Sequence, residues 1–361
     1  MTSAVAVEHL TETQAAEELA RLAEDDQGPR PPGWLLSPPA VRRFLLGDSK
    51  RGIRPKFVGN PSLVDRSMVA LATQRGLLLV GEPGTAKSLL SELLAAAISG
   101  QSTLTIQGSA ATTEDQIKYG WNYALLLAEG PSLKSLVPAP LFAGMTQGKL
   151  VRFEEITRCP LEIQDSLLSV LSDRVLFVPE LEGPEGQLYA RQGFNILATA
   201  NTRDRGTHEM SAALKRRFNF ETVYPIADAA EELELVEQEA TRQLQLSGVE
   251  KAPPRELLEI LVTTFRELRS GLTQDGQALE RLSSSLSTAE AVTVAQSLGI
   301  RCFYLRQSEP AAEDLMECIL GTALKDNLED VQRLRRYLEQ RVTRRSGPAW
   351  KAFYEARHRL P

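Results

Sequence analysis

Eight consecutive residues, Gly81-Glu82-Pro83-Gly84-Thr85-Ala86-Lys87-Ser88, stand between a short apolar run, Leu77 to Val80, and a helical stretch, Leu89 to Ile98. A glycine-containing turn between a strand and a helix aims backbone N–H groups and the positive end of a helix dipole at one point, which is what phosphate oxygens require. In that setting Lys87 reaches the β- and γ-phosphates of a nucleotide, and the Ser88 hydroxyl holds Mg²⁺. The spacing departs from GxxxxGK[ST] once, with Ala86 where the pattern has glycine. The apolar strand before it and the apolar helix after it are the context the motif demands.

Two further constellations could complete such a site. Leu150-Val151-Arg152-Phe153 ends in two carboxylates, Glu154 and Glu155. Adjacent side chains at a strand end point in different directions, so one carboxylate can face a metal shell and the other an attacking water. By position Glu154 is the metal-side group and Glu155 the base, an exposed acidic turn being the plainer alternative. Ile196-Leu197-Ala198-Thr199-Ala200 ends in Asn201, whose amide can orient that water or meet the γ-phosphate without adding charge. Asparagine is also a common turn residue.

The elements that must position these groups are legible as alternating patterns. Leu77–Val80, Leu104–Ile106, Leu150–Phe153 and Asn195–Thr199 read as buried strands with helical stretches between them. Buried strands separated by helices predict an α/β fold, a mostly parallel sheet flanked by helices. Val175–Val178 and Gln187–Ala190, around a Gly/Pro/Glu segment, predict a projecting hairpin. After Pro225 strand signals fade. Helical periodicity over 228–246, 254–272, 288–304, 311–324 and 328–342 predicts an all-α domain. The expected division is an acidic, Pro-rich, partly disordered leader over 1–40, an α/β nucleotide-binding domain over 41–226 and a helical domain over 227–361.

Composition excludes several classes. With 42% hydrophobic and 24% charged residues among 361, the chain is in the globular range. A net charge of −6 disfavours a protein built mainly to grip nucleic acid. An arginine-rich stretch from Gln332 to Leu360 leaves open a solvated helical face, or contact with an acidic partner or with nucleic acid. No apolar run is long enough to span a bilayer, and Met1 to Ala20 lacks the pattern of a secretory signal, so a cytoplasmic location is expected. Cys159, Cys302 and Cys318, without CxxC spacing, predict neither disulfides nor a zinc site.

Taken in this order, the motifs resemble the AAA+ superfamily, and within it the MoxR-type branch, closely over Phe57 to Pro225 and more loosely beyond. GEPGTAKS is similar to that branch's own phosphate loop, and KLVRFEEITRCP (149–160) to its second Walker motif, with Glu154 in place of the usual aspartate. Asn201 in ATANTRD matches the first sensor. Lys215-Arg216-Arg217-Phe218 matches the place of an arginine finger, which points to Arg217 with Arg216 as the substitute. Val58 and Gly59 match the segment lining the adenine pocket. The stretch 286–291 offers a glutamate where the family often has a second-sensor arginine. The resemblance further places an insertion at 107–147, where Trp121, Tyr123 and Phe142 serve core packing or a partner contact, and sets the 175–190 hairpin toward a ring pore.

The resemblance implies an ATPase using ATP and Mg²⁺, working as a homo-oligomeric ring, by analogy a hexamer. It implies a chaperone-like remodeller of a client, often one with a von Willebrand A domain; composition gives no membrane partner and disfavours a nucleic-acid one. The alternatives are a nucleic-acid-associated motor and a weakly hydrolysing nucleotide-binding scaffold.

Overall fold

The computed structural model of the chain describes residues 10–201, 208–324 and 327–361. It divides into two compact units. One comprises the chain up to Gly81 together with Ala86–Val223; the other comprises Tyr224–Pro361, with which the four residues Glu82–Thr85 group.

The first unit is built on five parallel strands, β1 (Gly76–Gly81), β2 (Thr105–Gln107), β3 (Leu150–Glu154), β4 (Asn195–Asn201) and β5 (Phe218–Thr222), in the order β2-β3-β4-β1-β5. Side chains alternate across a strand, so β1, β3 and β4 each feed two cores. Leu77, Leu79, Leu150 and Leu197 pack under helices α2 (Pro38–Leu46), α3 (Pro61–Leu71) and α4 (Lys87–Ser99). Leu78, Val151, Phe153, Ile196 and Ala198 face the opposite core with Leu141, Met145, Leu167 and Val170. Burial on both faces accounts for the near-continuous apolar runs of β1, β3 and β4. β5 is not among the strands expected from sequence, because its edge position leaves Phe218 buried and the following residues partly exposed or exposed.

The described part of the leader packs against the core. Helix α1 (Leu10–Asp25) buries Ala15 and Leu22, and Trp34 and Leu36 follow them into the α2–α4 core. Two polar ties explain why the Pro-rich stretch does not loosen it. Asp26 accepts hydrogen bonds from Ser37 N and Ser37 Oγ, each at 2.6 Å, and Leu35 N donates to Ile98 O at 2.7 Å. Residues 1–9 lie outside the described part.

Hairpins at 119–121 with 136–138 and at 175–177 with 187–189 are the small antiparallel additions. The second is the expected hairpin. In the insertion, Tyr119 meets Trp121 and Phe142 edge to face, which assigns those two rings to packing, whereas Tyr123 is exposed.

The second unit is helical: α5 (Ala229–Leu246), α6 (Arg255–Ser270), α7 (Thr288–Ile300), α8 (Ala312–Ile319), α9 (Leu328–Gln340) and α10 (Pro348–Glu355) enclose one core around Leu258, Phe265, Leu298, Leu315, Leu338 and Phe353. Residues 301–306 and 320–324 continue α7 and α8 as π-helical turns. Among the described residues no helix is long and apolar enough to cross a membrane.

Candidate functional site

β1 ends at Gly81 and α4 begins at Lys87, so the eight-residue loop occupies the strand-to-helix turn read from the sequence. Gly84 and Ala86 both adopt left-handed backbone, with φ of 76° and 63°. An L side chain in that conformation costs about 1–2 kcal/mol, which is the physical reason the general pattern has glycine at the second of these positions. Ala86 has the smallest side chain that can be strained there. It also caps α4 with no side-chain hydrogen bond, so no capping side chain competes for the helix's first N–H groups. Lys87 is 6% exposed, and its Nζ donates to Gly81 O at 3.2 Å, folding the ammonium back over the turn.

The two carboxylates at the end of β3 diverge because Glu155, at φ 56° and ψ 43°, breaks the strand in a left-handed turn. Glu154 points toward the start of α4. Its Oε2 accepts from Ser88 Oγ at 2.8 Å and Thr199 Oγ1 at 2.7 Å, and its Oε1 from Ser91 Oγ at 2.5 Å and Arg152 Nη2 at 2.9 Å. Burial alone would push the Glu154 carboxyl up. The hydrogen bonds from Ser91 and Thr199, the Arg152 charge and the Ser88 hydroxyl outweigh it and hold the group below the usual carboxylate range.

Glu155 turns the other way, and its Oε1 accepts from Asn201 Nδ2 at 2.7 Å. The sheet order produces this meeting. β4 lies between β3 and β1, and its last residue, Asn201, is in register with Gly81, the first residue of the loop. Thr199 ties the two acids together, donating to Glu154 while accepting from Glu155 N at 3.1 Å. One carboxylate oxygen beside a serine hydroxyl at the helix start is a hard oxygen set of the kind Mg²⁺ uses when phosphates and water supply its remaining ligands. No cluster of three or more His, Cys, Asp or Glu that could cage a metal exists among the described residues, and such a site does not need one.

Arg152, Ser91 and Thr199 were not singled out from the sequence. A signal was present for two of them. Arg152 is a charge inside a buried strand, two residues from Glu154 and so on the same face, while Ser91 lies one helical turn beyond Ser88.

Arg217 is placed apart from this cluster. Its carbonyl accepts from Gly76 N at 2.9 Å, at the opposite end of β1 from the loop, roughly 16 Å away at about 3.3 Å per residue. Its Nε donates to Ser172 Oγ at 2.9 Å, and neighbouring Arg216 is exposed. Val58 and Gly59 lie half-buried in the extended segment leading to α3. Residues 202–207, the remainder of the sensor motif, lie outside the described part.

In the helical unit Glu290 completes a capping box with Ser287 at the start of α7, so the glutamate at 286–291 has a local structural role. Half of the arginines in the arginine-rich stretch form ion pairs within the unit. Arg333 pairs with Asp330 and Glu329, Arg336 with Glu280, Arg345 with Glu267 and Arg359 with Glu313.

Comparison with known proteins bears on the family and the fold. Residues 76–218 match the family description "AAA domain (dynein-related subfamily)", and residues 230–361 match "YehL-like AAA+ ATPase C-terminal domain". YehL of Escherichia coli (strain K12) is 62% identical over 348 residues, covering 96% of this chain and 95% of that protein. Among solved structures the chain is similar in fold to NtrX from Brucella abortus, with a TM-score of 0.50, 12% identity and coverage of 84% of this chain and 64% of that one. A complex of NtrX with ATP gives a TM-score of 0.50 at 14% identity, covering 80% of this chain and 62% of that one. The chain therefore spans slightly less than two thirds of NtrX. Fold and site together define a P-loop protein of the AAA+ class, an α/β core followed by a helical region. Within that class, the chain belongs to the YehL-like AAA+ ATPases.

Proposed function

We propose that this protein binds and hydrolyses ATP and uses the cycle to remodel a partner protein, in the manner of the MoxR-type branch. The observation that carries the reading is the 2.7 Å bond between Glu155 and Asn201, at the ends of adjacent strands and one strand from the phosphate loop. A carboxylate aligned by a neutral amide, beside a loop suited to phosphate, is suited to taking a proton from a water that attacks the γ-phosphate.

In this reading Lys87 and the loop amides hold the phosphates. Ser88 and Glu154 hold Mg²⁺, which when bound supplies charge neutralisation across the β- and γ-phosphates. Asn201 keeps Glu155 oriented, and Val58 and Gly59 flank the base. The protein works as a homo-oligomeric ring, by analogy a hexamer, in the cytoplasm. Its client is a protein, by the same analogy one carrying a von Willebrand A domain. The internal pairing of Arg333, Arg336, Arg345 and Arg359 removes much of the motive for a nucleic-acid motor.

Arg217, at the far end of β1 from its own phosphate loop, serves the site of the next subunit in this reading. A guanidinium is always charged and can meet two γ-phosphate oxygens at once. Arg217→Ala should leave ATP affinity intact and cut turnover by about 10³-fold or more. Mixed with Lys87→Ala subunits, which lose ATP binding but keep the arginine, Arg217→Ala subunits should recover part of the ATPase rate through intact composite sites. Verified mixed rings that show no recovery would refute the shared site.

A further inference from the structure

Glu154 is one methylene longer than the aspartate that the resemblance leads one to expect, and it is buried. A longer acid has an additional torsion and a choice of which oxygen to present, so something must fix both. We propose that Arg152 is a positioning residue that clamps Oε1 of Glu154 and thereby commits Oε2 to the Ser88 side, where the metal is held. The proposal rests on the reading of Glu154 as the metal-side carboxylate and deepens it.

The period of two along β3 puts Arg152 on the same face as Glu154, between the fully buried Val151 and Phe153. Its guanidinium is fixed along its whole edge. Nη2 donates to Glu154 Oε1 at 2.9 Å and to Ser88 O at 3.3 Å, Nε to Ser91 Oγ at 3.0 Å, and Nη1 to Ser102 O at 3.2 Å. Ser91, held by the same guanidinium, donates in turn to Oε1 at 2.5 Å. Oε1 is thus engaged twice on the Arg152 side. Oε2 meets only the hydroxyls of Ser88 and Thr199 among the contacts described.

That asymmetry is the functional content of the arrangement. A hydroxyl can rotate and exchange its hydrogen bond for a bound cation or its water, whereas a planar fork held at four points cannot follow the carboxylate if it swings. Arg152 therefore acts through Glu154 and touches no reacting atom. Its contact with Ser88 O also anchors the backbone of the residue whose hydroxyl faces Oε2, so carboxylate and serine are set by one side chain.

The test is ATP binding by calorimetry on the full-length protein, in Mg²⁺ and in EDTA, for wild type, Arg152→Met, Ser91→Ala and Glu154→Gln. Outer partners of metal-holding groups typically change metal affinity by about 10–100-fold. The expected result is unchanged ATP affinity in EDTA for all four proteins. The gain on adding Mg²⁺ should be lost in Glu154→Gln, reduced by about 10–100-fold in Arg152→Met, and reduced less in Ser91→Ala. A role in packing alone would lower thermal stability and leave the Mg²⁺ gain intact, and a folded Arg152→Met with the wild-type gain overturns the proposal. If Arg152→Met does not fold, Ser91→Ala decides, since it removes a donor to Oε1 without stranding a charge; a full Mg²⁺ gain there is equally fatal. Should Glu154→Gln keep the whole gain, the metal-side assignment itself fails and takes the clamp with it. A sharper form compares Arg152→Leu in the native background with Arg152→Leu in a Glu154→Asp background. The clamp predicts a much smaller Mg²⁺ penalty beside the shorter acid, and equal penalties contradict it.

Discussion

Each unit of this molecule buries a glutamate, and the two are held in different ways. Glu154 in the α/β unit has three hydroxyls and one guanidinium around it. Glu232 in the helical unit, 1% exposed, has two guanidinia, Arg266 at 2.5 Å and Arg269 at 2.9 Å, with the hydroxyl of Thr288 at 2.7 Å. Those arginines also bond the carbonyls of Ile226, Ala227 and Leu286, so Glu232 ties the entrance of the unit, α5, α6 and α7 together. A carboxylate already faced by two cations has no remaining demand for positive charge. One held mainly by neutral hydroxyls retains that demand and can satisfy it with an incoming cation. Burial and a nearby arginine therefore do not identify a functional acid; the nature of the other donors does.

The comparison breaks most easily at Glu232. Removing one member of a buried ion pair leaves an uncompensated charge, at a cost of about 3–5 kcal/mol, and Glu232→Gln strands two. We expect Glu232→Gln to lose at least about 3 kcal/mol of stability in chemical denaturation, and Glu154→Gln to lose less, because it strands one guanidinium, that of Arg152, where Glu232→Gln strands two, and its hydroxyl partners can turn to serve an amide. Equal losses would mean that the two acids are structural in the same sense.

Acid titration sharpens the same point. Burial raises the Glu232 carboxyl, but the hydrogen bond and charge of Arg269, with Thr288 and Arg266, outweigh it and lower the group from its ordinary 4.5. A depressed folded-state value means the stabilisation is present above the ordinary value and is lost as pH falls through the lower, folded one. The wild-type protein should therefore lose stability as pH is taken below about 4.5, and Glu232→Gln should flatten that limb. Parallel acid limbs in the two proteins would show that Glu232 is not depressed.

The smallest expected effect concerns strain. Ala86 and Leu286 both have left-handed backbone, one in the phosphate loop and the other beside the Glu232 network. Ala86→Gly relieves a steric cost and gives up only a methyl, so a gain of up to about 1 kcal/mol is expected after the entropy of glycine is deducted. Leu286→Gly relieves similar strain but empties a side chain that is 1% exposed, and should be destabilising. Thermal melts of the two variants that moved in the same direction would refute this distinction.

Much of the candidate site was legible because its residues are contiguous. The loop at 81–88, the acids at 154–155 and Asn201 each close a strand, and an apolar run ending in a polar residue is a local pattern. Strand order is not local. Nothing in the sequence said that β4 lies between β3 and β1, and it is this order that brings Asn201 to Glu155. Arg152 read as part of a strand because its partners, Ser91 and Ser102, are 61 and 50 residues away. The leader read as loose because proline and glycine mark breaks in a helix, while the contacts of Asp26 with Ser37 and of Leu35 with Ile98 that fasten it depend on the folded core. The arginines near the C-terminus read as a patch because their carboxylate partners at Glu267, Glu280 and Glu313 lie on other segments of the unit.

In the proposed function Glu155, oriented by Asn201, is the base of an ATPase, and Glu154 beside it is not. Single-turnover hydrolysis, with the protein in excess over ATP and above its binding constant and with saturating Mg²⁺, tests it on wild type, Glu155→Gln and Glu154→Gln. Removing a positioned base costs on the order of 10²–10⁴ in rate and leaves ground-state contacts in place. Glu155→Gln should bind ATP as wild type does and hydrolyse it more slowly by that factor, whereas Glu154→Gln should be deficient in its response to Mg²⁺. Near-normal hydrolysis by Glu155→Gln, with the slow, ATP-retaining behaviour found in Glu154→Gln instead, would contradict it.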